Sequence, residues 1–182
     1  MVNINNPKLT VLQSEILRLL FIKAGVALNQ HRIATILEVT PPAVMKALPA
    51  LETEGLITLQ QDAESKRWAI QLRRDDHRAL QLKRADNLRQ VYETGLADRL
   101  EQEFAGATII LFGSYARGED TINSDLDIAI IGRKAKMIDL SRYEKMLERE
   151  ININAYASFA TIHKRLKENL CNGIVLFGGI EL

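Results

Sequence analysis

Cys171 is the only cysteine in 182 residues, so no disulfide can form within the chain, and a lone thiol without a Cys or His partner set offers no zinc site. It reads as a small buried apolar residue, the usual place of a free cysteine, in a reducing compartment. No apolar run reaches the roughly 18 residues that a membrane span needs. Met1 to Pro7 carries asparagines instead of a basic cluster leading into an apolar stretch, so no secretory leader is expected. These absences predict a soluble, cytoplasmic protein with no membrane partner. Neither charge dominates: 24 Lys and Arg face 23 Asp and Glu, which leaves no global field toward nucleic acid or anionic lipid. The tilt along the chain is weak, with 13 basic and 10 acidic residues up to Gly95 and 11 against 13 beyond it. Repeats and low-complexity segments are missing too. What remains is 47% hydrophobic residues, enough to fill a core for one large or two small domains.

Thr10 followed by Gln13 has the form of a capping box, and Leu12, Ile16, Leu19 and Leu20 recur at helical spacing up to about Lys23, with Gly25 as the stop. A second helix from Asn29 places Ile33, Ile36 and Leu37 on one face. Thr40 and Pro41 then open a third, since Thr caps free N–H groups and Pro at the first helical position loses nothing by lacking one. Its apolar stripe is Val44, Ala47, Leu48 and Leu51, with Gly55 beyond, and Pro49 predicts a kink or a stop. Two strand-like runs, Leu56 to Gln60 and Arg67 to Leu72, flank the polar stretch Gln61 to Lys66 and read as a hairpin. Three helices and a hairpin resemble the winged helix-turn-helix fold over Lys8 to Arg73, with Trp68 as the apolar anchor of the wing. Asp76 to Leu100 is a charged helical stretch with Leu88, Val91, Tyr92, Leu96 and Leu100 on one face. It reads as a linker helix packed on the second domain, or as a seam for a homodimer. The expected organisation is an α+β chain: a winged-helix domain over 1–75, a linker helix over 76–99 and a small mixed-sheet domain over 100–182.

Chemistry enters at Thr108 to Phe112, an apolar strand that leads directly into Gly113-Ser114-Tyr115-Ala116-Arg117-Gly118. Glycine lets the backbone approach a phosphate, and a helix start supplies free N–H groups to hold it. Further on, Ser124-Asp125-Leu126-Asp127 opens the buried-strand run Ile128 to Ile131. Alternation along a strand puts Asp125 and Asp127 on one face, where two carboxylates need a cation or must protonate. Mg²⁺ suits them, because it is typically held by one or two carboxylates and substrate phosphates.

Together these residues resemble the signature of minimal nucleotidyltransferases of the DNA polymerase beta superfamily, Gly-Ser-x-Ala-Arg-Gly followed by Ser-Asp-x-Asp, over about Leu100 to Tyr156. The resemblance implies a nucleotide triphosphate held at Gly113 and Ser114. It also implies Mg²⁺ on the catalytic pair Asp125 and Asp127, with Arg117 steadying the motif or the phosphates, while a hydroxyl attacks the α-phosphorus. Members also occur beside toxin or antitoxin partners, so such a partner is allowed. Active members carry a third carboxylate on a later strand, but the strand candidate here, Ile151 to Tyr156, offers Asn152 and Asn154, and an amide carries no charge and is no base. Glu150 lies in phase with them and is the alternative. The tail reads as a helix over Phe159 to Leu170 and an apolar segment Ile174 to Phe177. His163 is expected at the surface, not as a ligand.

In the front domain the third helix is the one expected to meet DNA, with Lys46 its only polar reader among Pro42, Ala43, Met45 and Lys46. Lys66, Arg67, Arg73 and Arg74 around the wing suit phosphate contacts. Two functions are open to such a chain. One is an enzyme transferring a nucleoside monophosphate to a hydroxyl, the other a DNA-binding regulator whose nucleotidyltransferase-like domain is catalytically degenerate.

Overall fold

The computed structural model describes residues 9–63 and 66–180. The segment Met1 to Pro7, read as lacking a leader, lies outside them, as do Lys8, Glu64, Ser65, Glu181 and Leu182. The α+β chain divides into two compact units, Met1–Leu80 and Gln81–Leu182.

In the first unit, α1 (Val11–Ile22), α2 (Gln30–Ile36) and α3 (Pro41–Thr53) precede a hairpin of β1 (Ile57–Gln61) and β2 (Trp68–Leu72). This is the winged helix-turn-helix arrangement. Each helix starts where a side-chain oxygen can accept from an orphan backbone N–H. Thr10 and Gln13 form a reciprocal capping box, and Asn29 and Thr40 accept from Arg32 and Ala43. Isolated pairing of Leu28 with Ile70 adds a third strand position beside β2. Ile16, Leu20, Ile33, Val44, Leu48, Leu51, Ile57 and Ile70 fill the core, and Trp68 packs partly buried against it. Ile36, expected on the inner face of α2, is instead 38% exposed, because α2 is only two turns long and Ala34 takes the buried position. Nor does Pro49 stop α3, which continues to Thr53. Pro49 is exposed, so the carbonyl that loses its partner lies on a wet face where water can satisfy it.

α4 (His77–Glu93) and α5 (Leu96–Glu103) form two helices where one was expected, broken at Gly95 with φ 78°. The break changes the phase of the apolar face. Val91, Leu96 and Leu100 are buried, but Tyr92 is 47% exposed, a correction to its place in the apolar stripe. Beyond them, β3 (Thr108–Phe112), α6 (Gly113–Arg117), β4 (Leu126–Ile131), α7 (Ser141–Leu147), β5 (Ile151–Tyr156), α8 (Lys164–Cys171) and β6 (Ile174–Phe177) complete the second unit. Its sheet has the order β5-β4-β3-β6, with β4 and β5 parallel and the other neighbours antiparallel. Alternate residues of β3 and β4 face different cores. Ile109, Leu111, Leu126, Ile128 and Ile130 pack with Leu96, Leu100 and Phe104, while Ile110, Phe112, Ala129 and Ile131 pack with Phe159, Ile162 and Leu170.

The tail departs from the single helix expected over Phe159 to Leu170. A 3-10 turn, Phe159–Thr161, precedes α8, and the chain extends at Ile162 before restarting. The exposed His163 causes the restart, its Nδ1 accepting from the backbone N–H of Arg165. Cys171 is exposed, not buried. It ends a helix whose buried residue is Leu170, and the next position around a helix turns outward.

Candidate functional site

The glycine turn and the aspartate pair meet across adjacent strands. β3 delivers Phe112 opposite Asp127 of β4, and Gly113 follows with φ +74°, a conformation that side-chain-bearing residues rarely adopt. A Cβ on Gly113 would collide with Asp127 Oδ2. Glycine therefore permits both the turn and the close approach of its backbone to the carboxylate. Ser114 follows half-buried in α6. Arg117, at the end of α6, pairs through Nε with Glu119 Oε2 at 2.8 Å and is 38% exposed, which puts it at the rim of the turn.

Asp125 stands just ahead of β4 and Asp127 within it, and the parallel register sets Asn152 beside Asp127. Asn152 Nδ2 donates to Asp125 Oδ2 at 3.0 Å. Burial raises the pKa of Asp127 above the usual carboxylate range, the charge of Asp125 raises it further, and a hydrogen bond from Asn152 works against both. A half-buried carboxylate whose charge is disfavoured by burial and by the neighbouring Asp125 forms a site that a cation relieves. The donor set fits one Mg²⁺, which needs only one or two carboxylates when substrate phosphates complete its shell. Among the described residues no three His, Cys, Asp or Glu side chains are grouped to hold a metal. Glu150, the alternative third carboxylate, is exposed and lines a cleft of about 490 Å³ with Ser124, Asp125, Glu144 and Glu148. Asn154 pairs with Ala129, two residues farther along the strand.

The approach to Asp125 is fixed by a small turn in which Ser124 Oγ accepts from the N–H of Thr121 at 2.9 Å and Ser124 N–H donates to Thr121 O at 3.0 Å. Sequence reasoning missed a set of polar residues behind the site. Lys83, Asn87, Asp120 and Arg149 are all buried, and the signal that could have found them is the i, i+4 pair Lys83 and Asn87 on the helix side that also carries Val91.

The basic residues expected to meet nucleic acid lie in the first unit. Lys46 is exposed on α3, Lys66 and Arg67 are exposed at the hairpin tip, Arg74 is exposed and Arg73 is half-buried after β2. Lys66 and Arg67 sit together at the tip, where Asp62 N–H donates to Arg67 O and Lys66 N–H to Asp62 O. Lys46 is on a separate element.

No helix among the described residues is long and apolar enough to cross a membrane. The family described as "Nucleotidyltransferase domain" matches residues 94–170. A protein of Methanocaldococcus jannaschii named "Putative protein adenylyltransferase" is 37% identical over 70 residues, covering 36% of this chain and 72% of the relative. Among solved structures, a mutant of Lactococcus lactis ZitR aligns at 24% identity over 56% of this chain and 66% of that one, with a TM-score of 0.41. MepR, a transcription regulator of the Staphylococcus aureus multidrug efflux pump MepA, aligns at 29% identity over 53% and 63%, with a TM-score of 0.37.

Proposed function

Because the chain belongs to the nucleotidyltransferase domain family, we propose that its second unit binds a nucleotide triphosphate with Mg²⁺ and transfers the nucleoside monophosphate slowly to a hydroxyl. The observation that carries this reading is that a Cβ on Gly113 would meet Asp127 Oδ2, so the glycine turn lies close against a carboxylate whose charge is disfavoured, which suits a turn holding phosphate beside a cation. Gly113 and Ser114 hold the triphosphate through backbone N–H groups and the hydroxyl. Asp125 and Asp127 hold the ion, which when bound would neutralise charge on the phosphates and orient them. In the transfer a bond forms between the acceptor oxygen and the α-phosphorus, the bond to pyrophosphate breaks, and the hydroxyl proton is released. Since the turn sits on the β3 side of the aspartates, an in-line acceptor enters from the β5 side, past Asn152 and the carboxylates of the cleft. A protein hydroxyl is the favoured acceptor class: the relative's name speaks of protein, and in the cleft's lining Asp125, Glu144, Glu148 and Glu150 outnumber Arg149, a balance that repels a nucleic-acid backbone.

The test is thermal. A ligand that binds only the folded state at a hundredfold excess over its Kd stabilises by about 2.7 kcal/mol, on the order of 10 °C for a unit of about 100 residues. Mg²⁺ with a nucleotide triphosphate is expected to raise the melting temperature, and Asp127→Ala to remove the rise. Folded protein that shows no rise at millimolar nucleotide would end this reading.

For the first unit we propose DNA binding through Lys46, Lys66, Arg67, Arg73 and Arg74, chiefly to phosphates. Its residues favour weak sequence choice, because Lys46 is the sole polar side chain at the start of α3 able to touch a base edge. The logarithm of affinity is expected to fall linearly with the logarithm of salt concentration, with a slope of about −0.9 per phosphate neutralised. Gel-shift titrations at several salt concentrations measure it. A tight, salt-insensitive, site-selective complex would contradict it. One observation favours a second reading of the whole chain, a DNA-binding regulator with a degenerate transferase unit: the amide of Asn152 stands in the register position beside Asp127.

A further inference from the structure

Three segments of the site converge on one buried carboxylate. Asp120, on the loop between α6 and Asp125, is fully buried. Its Oδ1 accepts from Lys83 Nζ at 2.5 Å and from Asn87 Nδ2 at 2.7 Å, and its Oδ2 from Arg149 Nη2 at 3.2 Å. Lys83 and Asn87 are one turn apart on α4, while Arg149 stands two residues ahead of β5. Asn87 Nδ2 also donates to the carbonyl of Tyr115 at 2.9 Å, inside α6. So the glycine turn, the loop to Asp125 and the start of the strand carrying Asn152 are each tied by a directional bond to the same few atoms. The Lys83 and Arg149 side chains are 1% and 2% exposed. Burial lowers the pKa of Lys83, while Asp120 opposes that fall.

Such a network is weak evidence for stability, because well-packed apolar residues often replace buried ion pairs without loss. What apolar residues cannot supply is direction. We propose that Asp120 is a positioning residue for the nucleotide site, holding α6, the loop to Asp125 and the first residues of β5 in one register through Lys83, Asn87 and Arg149. The proposal deepens the nucleotide-binding reading of Gly113, Ser114, Asp125 and Asp127 and rests on it.

Asn87→Ala removes the amide that donates to Tyr115 and Asp120 and accepts from Lys83, while leaving the ion pairs of Asp120 with Lys83 and Arg149 in place. Its folded form is expected to exchange the amide hydrogens of residues 113–125 about tenfold faster in the ligand-free state, the loss of roughly one net hydrogen bond, with β4 residues 128–131 unchanged. Its dissociation constant for a nucleotide triphosphate with Mg²⁺ is expected to rise by about the same factor, and its melting temperature to fall by several degrees, as expected when buried acceptors lose their donor. The apolar replacement Lys83→Met, Asp120→Leu, Arg149→Met is the second variant and is expected to melt near wild type with the same faster exchange. Unchanged exchange over 113–125 in either folded variant would overturn the proposal. So would loss of fold in both, since the network would then hold the whole unit and not the site segments. Exchange needs no ligand, so a wild-type protein that fails to bind nucleotide ends the nucleotide reading while exchange still decides the positioning role.

Discussion

Asn152→Asp is expected to raise the rate of nucleotidyl transfer by about 10² to 10⁴-fold, the range over which a positioned acid or base contributes. The parallel register places residue 152 beside Asp127, and its amide already reaches Asp125 at 3.0 Å. A carboxylate there would complete a three-carboxylate group that the described residues lack, and could both attract a second cation and accept the proton of the attacking hydroxyl. Without metal the substitution should act in the opposite sense. It replaces a donor between two carboxylates with a third negative charge, so the ligand-free variant is expected to melt below wild type and to regain stability when Mg²⁺ is added. The measurement is single-turnover transfer from labelled nucleotide once an acceptor is in hand, comparing wild type, Asn152→Asp and Glu150→Gln. Fast wild-type transfer that Glu150→Gln abolishes would give the third carboxylate's role to Glu150 and defeat the argument.

Gly113→Ala is expected to eliminate nucleotide binding altogether. At φ +74° an alanine pays about 1–2 kcal/mol for the left-handed backbone, and its Cβ would occupy space that Asp127 Oδ2 already fills. Relief requires either the turn to open, which removes the phosphate's N–H donors, or Asp127 to swing away, which removes a ligand of the cation. Both routes abolish the same function. The melting temperature without ligand should fall modestly and the nucleotide-dependent rise should vanish. A variant that still shows the full rise would mean that the turn does not hold the phosphates.

Much of this arrangement is legible in local chemistry, because caps and strands are written in short stretches of chain. Thr10 with Gln13, Asn29, and Thr40 with Pro41 mark the helix starts that the folded chain uses. The buried stripe of α3 also stands where the spacing puts it. Thr108 to Phe112 and Ile151 to Tyr156 are strands over the expected residues, and the alternation that sets Asp127 apart from Leu126 and Ile128 holds in the two cores. Local chemistry misleads where a residue's surroundings come from far along the chain. Residue type puts Cys171 inward and helical spacing puts Tyr92 inward with Leu88 and Val91, but both are exposed. The missing bond of Pro49 argues for a helix stop, and solvent exposure removes most of that penalty. The only local trace of the Lys83, Asn87, Asp120 and Arg149 network is the spacing of Lys83 and Asn87 on the Val91 side of α4, and polar residues one turn apart otherwise look like a wet helix face. Nothing local pairs position 83 with 120 or 149.

The strand order β5-β4-β3-β6 separates two capacities that an enzyme of this kind needs together. On the proposed reading, the turn at the end of β3 would grip the phosphates and the residue on β5 would decide turnover, with the aspartates of β4 between them. A single codon change on β5 can therefore switch catalysis off or on without disturbing what the turn holds. If the proposed nucleotide site is as drawn, such a chain would pass between enzyme and ligand sensor by one step.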